Sequence, residues 1–167
     1  MQKWTGALAR ARYDKRLKRL AEKDVPKRTA LPMSDKPESC KGCPLYDSPY
    51  GGIVWGEGPS NAKMMVVGEA PGEEESLTLK PFSGGSGRVL NALLNHAGVA
   101  RKELFVTNTV KCRPTARGAQ GQVVNRQPTE TEIRHCARYL VGELEKINPN
   151  VVVAMGNVPM KTLTGKT

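Results

Sequence analysis

The feature that most constrains the fold is an alternation of short apolar runs with longer amphipathic stretches. Residues 63–68 read KMMVVG, and similar runs cover residues 104–110 and 150–155. Between them, residues 86–97 and 129–147 repeat their apolar positions with helical spacing. Continuous apolar strands that alternate with helices are typical of a parallel sheet covered on both faces. The sequence therefore predicts an α/β fold around a mostly parallel sheet.

Both predicted helices carry further signals. The helix at residues 86–97 gathers its apolar side chains on one face, namely Val89, Leu90, Leu93, Leu94 and Ala97. The helix at residues 129–147 follows Pro128 and opens with a capping box of Thr129 and Glu132. After the third strand, residues 156–163 begin another helix, and we expect a further strand and helix beyond it. We therefore interpret the domain as incomplete at its C-terminus.

Length and composition favour one globular domain. The chain has 167 residues, of which 38% are hydrophobic, so it can bury a core without help from disulfides. No apolar run is long enough to span a bilayer, and the first residues are polar and basic. We expect a cytoplasmic protein with no membrane partner.

The positive charge is concentrated in the first 36 residues. The formal net charge is +10, and residues 1–36 hold 11 Lys or Arg against 4 Asp or Glu, so they contribute +7 of it. Residues 4–23 have the pattern of a weakly amphipathic basic helix, and Pro26, Pro32 and Pro37 follow. We predict a basic arm and linker at residues 1–36 and a domain at residues 37–167. The arm is either a solvated tail or a segment that attracts DNA phosphates, and we favour the second.

Four cysteines in a reducing compartment indicate metal ligation or plain burial rather than disulfides. Cys40 and Cys43 form a CxxC pair, whose two-residue gap lets both thiolates reach one metal centre. Cys112 and Cys136 lie far along the chain. The spacing fits zinc and an iron-sulfur cluster equally well.

Polar motifs follow the first two strands, at the edge of the sheet where ligands collect. GEAPGEEE, residues 68–75, places carboxylates and backbone amides directly after the first strand. Glu73 and Glu74 there are more typical of a solvated surface, whereas Glu69 and Glu75 are candidates for chemistry. PFSGGSGR, residues 81–88, puts Phe82 beside a glycine-rich turn that lets backbone approach a phosphate or base. TNTVKCRP, residues 107–114, contains Asn108, whose amide both donates and accepts, as reading a pyrimidine edge requires.

Taken in order, these motifs, the PTETEIRHCARYL helix and NVVVAMG resemble the iron-sulfur (family 4) uracil-DNA glycosylases. They also resemble the related domain of some phage DNA polymerase proteins. The resemblance covers about residues 38–163. It implies a three-layer α/β/α fold and hydrolysis of the N-glycosidic bond of uracil in DNA, for base excision repair. Expected partners are uracil-containing DNA, single- or double-stranded, and a DNA polymerase or another replication or repair protein.

The resemblance also implies roles for individual residues. A 4Fe-4S cluster, with zinc as the alternative, would be held by Cys40, Cys43, Cys112 and Cys136. A catalytic, water-positioning loop would comprise Glu69, Ala70, Pro71, Gly72 and Glu75, with Ala70 where the better-known glycosylase branch has a catalytic Asp. The substrate-binding residues would be Phe82, which stacks on the flipped uracil, Asn108, which hydrogen-bonds its edge, and Gly84 and Ser86 in the glycine-rich turn.

Two departures from the family pattern keep a second hypothesis open. The family carries a His-Pro motif in a loop after its final strand, and neither His96 nor His135, both on predicted helices, fits that place. Residues 115–127 are longer than the usual link, and we expect a flexible surface loop there that touches DNA through Arg117 or Arg126. The main alternative is a non-catalytic module with the same fold that binds DNA or a polymerase. A zinc-stabilised nucleic-acid-binding domain is a third possibility.

Overall fold

A three-stranded parallel sheet forms the centre of the fold, with β1 (Met64–Gly68) between β2 (Leu104–Asn108) and β5 (Val151–Ala154). The structure, a computed structural model, describes residues 36–50 and 52–166, so residues 1–35 of the predicted arm lie outside it. All three strands are parallel, and Gly68 pairs with Asn108 in the register of β1 and β2. The three predicted strands are confirmed, although the second ends at Asn108 rather than at residue 110.

Helices cover both faces of the sheet and make a three-layer α/β/α arrangement. One face packs against α3 (Glu130–Ile147) and α4 (Asn157–Thr164), in a core that includes Met65, Phe105, Leu140 and Leu163. The other face packs against α2 (Gly85–His96), in a core that includes Val66, Val106, Leu90 and Leu94. A short helix, α1 (Glu73–Thr78), and two 3-10 turns, Glu38–Cys40 and Arg101–Glu103, complete the helical elements that the structure describes. The predicted fold class is confirmed.

The two long helices differ in how well their sequence patterns predicted them. Helix α3 begins after Thr129, whose hydroxyl accepts from the Glu132 backbone N–H at 3.3 Å, while the Glu132 carboxylate accepts from the Thr129 N–H at 2.7 Å. The predicted capping box is therefore confirmed. In α2, Leu90 and Leu94 are buried, but Val89 and Leu93 are 59% and 55% exposed. The predicted apolar face was too broad, because the sheet covers only the strip around Leu90 and Leu94.

The segment at residues 115–127 is an antiparallel hairpin rather than the flexible loop that its Gly and Gln content predicted. Strand β3 (Thr115–Arg117) pairs with β4 (Val123–Asn125), and Gly121 takes a positive φ of 80° in the turn. Arg126 is bound at the base of this hairpin, since its guanidinium pairs with Glu132 at 2.6 Å. Arg117 is exposed, and its Nη1 donates to the Gly121 carbonyl at 3.2 Å across the turn. Within the described residues, no helix is both long and apolar enough to cross a membrane.

Candidate active site and cysteine cavity

The carboxyl ends of β1 and β2 form the floor of the candidate active site. Gly68 ends β1 directly opposite Asn108, the last residue of β2. The segments that follow the two strands also stay hydrogen-bonded to each other. The backbone N–H and the hydroxyl of Thr109 both donate to the Gly68 carbonyl, at 2.8 and 2.9 Å. The Val110 N–H donates to the Glu69 carbonyl at 3.2 Å. Two motifs that are 40 residues apart are thus held side by side.

Gly68 lets the two predicted substrate-binding side chains meet. A Cβ added at Gly68 would collide with Oδ1 of Asn108 and would come within 2.6 Å of Cζ of Phe82. Both side chains therefore converge over this glycine, and Asn108 is 3% exposed. The sequence motifs indicated Asn108 and Phe82 as substrate-binding residues but did not indicate Gly68. A glycine at the end of an apolar strand often marks a close approach of other groups, and this position could have identified it.

Phe82 is held in an uncommon backbone conformation. Its φ is 53°, a left-handed value that a residue with a bulky side chain adopts only when its surroundings enforce it. Gly87 in the first turn of α2 contributes to that enforcement, because a Cβ there would overlap the Phe82 carbonyl oxygen. The glycine-rich turn thus aims the Phe82 ring at the carboxyl edge of the sheet.

Glu75 joins the acidic motif to the glycine-rich turn. Its carboxylate accepts from the Gly72 backbone N–H at 3.0 Å and from the Gly84 N–H at 2.8 Å, and the residue is 8% exposed. A Cβ at Gly72 or Gly84 would come within 2.8 or 2.9 Å of a Glu75 oxygen, so a larger residue at either position would displace the Glu75 carboxylate. The Gly84 amide is therefore occupied by Glu75. Ser86 lies exposed in the first turn of α2.

The residues that directly follow β1 are, apart from Pro71, less buried than Glu75. Glu69 and Ala70 are half-buried, Pro71 is buried and Gly72 is half-buried. Burial raises the pKa of the Glu69 carboxyl. Glu73 and Glu74 are exposed in the first turn of α1, as predicted.

The hairpin supports the acidic motif through a contact that the sequence did not indicate. Arg113 is 7% exposed and donates from Nε to Oδ1 of Asn125 at 2.7 Å and from Nη2 to the Glu73 carboxylate at 3.2 Å. Asn125 also lies beside the loop, since its Nδ2 would be 3.5 Å from a Cβ at Gly72. The hairpin at residues 115–127 thus forms part of the wall of the candidate active site.

The four cysteines gather on the other side of the Asn108 motif. Cys40, Cys43, Cys112 and Cys136 line one small cavity together with His135. Burial raises the pKa of the Cys112 thiol to about 11 and that of Cys136 to about 12, so without a cation these thiols stay protonated at neutral pH. In the described residues no group of three or more metal-ligating side chains is arranged around a single-ion position.

The fold and the candidate active site define a class of protein. It is a parallel α/β protein in which the side-chain amide of Asn108 and the ring of Phe82 lie over the carboxyl edge of the sheet. The family sequence model described as the uracil DNA glycosylase superfamily matches residues 55–167. This chain therefore belongs to the uracil DNA glycosylase superfamily.

Individual relatives agree with this assignment. The chain is similar to the type-4 uracil-DNA glycosylases of Thermotoga maritima, at 39% identity, and Saccharolobus solfataricus, at 38%, each over 74% of this chain. It spans 60% and 54% of the length of those two proteins. A DNA polymerase of Bacillus phage SP01 is 32% identical over 67% of this chain, which covers 11% of the polymerase.

Proposed function

We propose that this chain hydrolyses the N-glycosidic bond of uracil in DNA, after the base has been flipped out of the helix. The observation that carries the proposal is the convergence of Asn108 and Phe82 over Gly68, beside the Glu69 loop. An amide offers the paired donor and acceptor that a uracil edge requires, and an aromatic ring offers a stacking surface. The similarity to type-4 uracil-DNA glycosylases supports the same substrate.

The chemistry asks for two kinds of stabilisation. Uracil leaves as an anion while the sugar becomes oxocarbenium-like, and water then adds to the sugar carbon and loses a proton. A carboxylate near the sugar stabilises the positive charge, and hydrogen-bond donors near uracil stabilise the negative charge. In this proposal Glu69 supplies the carboxylate, and Ala70, Pro71 and Gly72 shape the loop that positions the water.

Glu75 belongs to the same loop but has a different task in the proposal. Both of its oxygens accept backbone N–H groups, so it holds the loop against the glycine-rich turn rather than taking up a proton. Gly84 contributes through that contact, and Ser86 lies where its hydroxyl can approach a DNA phosphate at the start of α2.

We further propose that Cys40, Cys43, Cys112 and Cys136 hold a 4Fe-4S cluster. All four cysteines line one cavity, and four Cys thiolates are the usual ligands of a 4Fe-4S cluster. His135 lines the same cavity and its buried Nδ1 has no hydrogen-bond partner among the described residues, so a protonated Nδ1 would be able to donate to a cluster sulfur. When bound, the cluster would tie the CxxC segment to the loop after β2. Anaerobically purified protein should be brown with broad visible absorption, whereas a colourless protein with bound zinc would support the alternative.

The test of the main proposal is base release from a labelled single-stranded oligonucleotide that contains one uracil, with alkali cleavage to reveal abasic sites. We expect cleavage at the uracil with the parent protein and release that is slower by roughly 10²- to 10³-fold, but still measurable in single-turnover assays, with Asn108→Ala. Asn95→Ala, an exposed Asn on α2, is the matched control and should keep full release. A folded, brown parent protein that leaves the uracil in place would refute the activity.

The polymerase relative favours one alternative, a non-catalytic module that binds DNA or a polymerase. That phage protein carries the similar segment within a much longer chain. Tight binding of uracil-containing DNA without base release, or retention of the chain by a DNA polymerase, would support this alternative.

A further inference from the structure

The structure holds a buried ion pair directly behind Asn108. Lys111, 1% exposed, donates from Nζ to three acceptors, each at 2.7 Å: Oγ1 of Thr107, the backbone carbonyl of Asn108 and Oε2 of Glu143. An ammonium group has three protons, so all of its hydrogen bonds are made. Neither Lys111 nor Glu143 was among the candidate residues from the sequence.

Glu143 extends the network from helix α3 to two further elements. Its Oε2 accepts from the Thr107 hydroxyl at 2.8 Å, and its Oε1 accepts from the Gly56 backbone N–H at 3.1 Å. Residues around Gly56 run along the outer edge of β2, where Glu57 and Val106 exchange backbone hydrogen bonds at 2.9 and 2.8 Å. One carboxylate thus fixes the end of β2 from a neighbouring helix and from a neighbouring segment.

We propose that the Lys111–Glu143 pair is a positioning device, which holds the Asn108 amide in the orientation that reads the base. Side chains alternate between the two faces of a strand, so Thr107 faces α3 while Asn108 faces Phe82. The Thr107 side chain and the Asn108 carbonyl are both held on the α3 side of the strand. The Asn108 side-chain amide is therefore directed to the opposite face, over Gly68. The inference rests on the proposed role of Asn108 in base recognition.

Stability alone is a poor explanation for this pair. Taking two charges out of water opposes their attraction, and apolar residues of similar volume often serve a fold equally well. Apolar residues could not replace one of its contacts, because Lys111 donates a hydrogen bond to the carbonyl of Asn108, the last residue of β2. Misplacement of a reacting group by about 1 Å costs a rate on the order of 10²-fold.

The test replaces the pair by apolar residues, Lys111→Met with Glu143→Leu, so that no unpaired charge is left buried. In single-turnover uracil release from the labelled oligonucleotide, we expect the rate to fall on the order of 10²-fold. DNA affinity should change little, because contacts with phosphates are retained. The melting temperature should fall, because the Asn108 carbonyl, the Thr107 hydroxyl and the Gly56 N–H lose their partners, so release rates are compared at a temperature at which both proteins are folded. Lys146→Met with Glu145→Gln, at exposed positions of the same helix, is the matched control.

Repeating the replacement in an Asn108→Ala background distinguishes positioning from a general structural effect. If the pair acts through Asn108, its removal should cost nothing further once the amide is gone. An equal loss in both backgrounds, or a full rate for the apolar double variant, would overturn the inference while leaving the glycosylase proposal intact. A parent protein without uracil release would overturn both.

Discussion

Glu69 and Glu75 stand six positions apart in one acidic motif, yet the structure gives them opposite environments. Glu75 is almost buried, and backbone N–H groups occupy both of its oxygens. Glu69 is half-buried, and burial raises the pKa of its carboxyl. The two carboxyls thus support different proposals, a structural role for Glu75 and a role in the reaction for Glu69.

Replacing Glu69 by Gln tests this difference. We expect uracil release to fall by roughly 10²- to 10³-fold, the usual cost of removing one group that stabilises charge in the transition state. Because the pKa of Glu69 is higher in the folded than in the unfolded chain, its ionisation opposes folding as the pH rises through those values. Glu69→Gln should therefore melt at the same or a higher temperature than the parent at pH 7.

The pH profile of the parent protein checks the same assignment. If the Glu69 carboxylate is the active form, kcat/KM should decrease as the pH falls through the raised pKa of Glu69, and this limb should vanish in Glu69→Gln. A profile that keeps the limb in the variant would assign it to another group. Glu103→Gln, an exposed carboxylate beside β2, is a suitable control for both measurements.

At the scale of elements, the hairpin and the start of α3 are joined by Glu132. This carboxylate is fully buried and receives two hydrogen bonds from Arg126, at 2.8 and 2.6 Å, as well as one from the Thr129 N–H. Burial acts to raise the pKa of Glu132, but these hydrogen bonds outweigh it and lower the pKa. The pair anchors the hairpin that forms one wall of the candidate site.

Glu132→Gln should therefore destabilise the chain by about 1–3 kcal/mol at pH 7, because it removes the charge of a buried carboxylate that accepts from half-buried Arg126 and weakens the helix cap. Since the pKa of Glu132 is lowered in the folded chain, the stabilisation is present above the unfolded value and is lost as the pH falls through the folded one. Urea unfolding of parent and variant should differ less at low pH than at pH 7.

Glu130→Gln provides the comparison for that experiment. Glu130 also lies in the first turn of α3, but its side chain is 84% exposed and its nearest cation, Lys161, is 4.0 Å away. We expect a change of less than about 0.5 kcal/mol. An equal loss in both variants would show that the helix terminus, not the buried pair, determines the effect.

For the whole molecule, the distribution of charge predicts how affinity for DNA depends on salt. Residues 1–36 contribute +7 of the formal +10, so their deletion should weaken DNA binding and flatten the dependence of log affinity on log salt concentration. If the arm neutralises about three phosphates of single-stranded DNA, the slope should fall by roughly 2. Replacing only Leu8, Leu17 and Leu20 by Ala keeps the charge and should keep the slope. An unchanged slope after deletion would mean that the arm does not contact DNA.

The α/β class, the order of the strands along the chain and the capped start of α3 could all be predicted from the sequence. These depend on local periodicity and on short-range hydrogen bonds, which a linear pattern records. The sequence also indicated Asn108, Phe82 and the four cysteines, because their residue types and neighbouring motifs suit base recognition and metal binding. The roles assigned to them remain predictions.

Which groups meet could not be predicted from the sequence, because it depends on how the elements pack. The contact of Arg113 with Asn125 and Glu73, the convergence over Gly68 and the pairing of Lys111 with Glu143 each join residues that are distant in sequence. The hairpin at residues 115–127 was likewise hidden, because its strands are short and half-exposed and its anchor, Arg126 on Glu132, is a buried ion pair. Buried polar contacts leave no periodic trace in a sequence, since each depends on the packing of several elements rather than on the spacing within one.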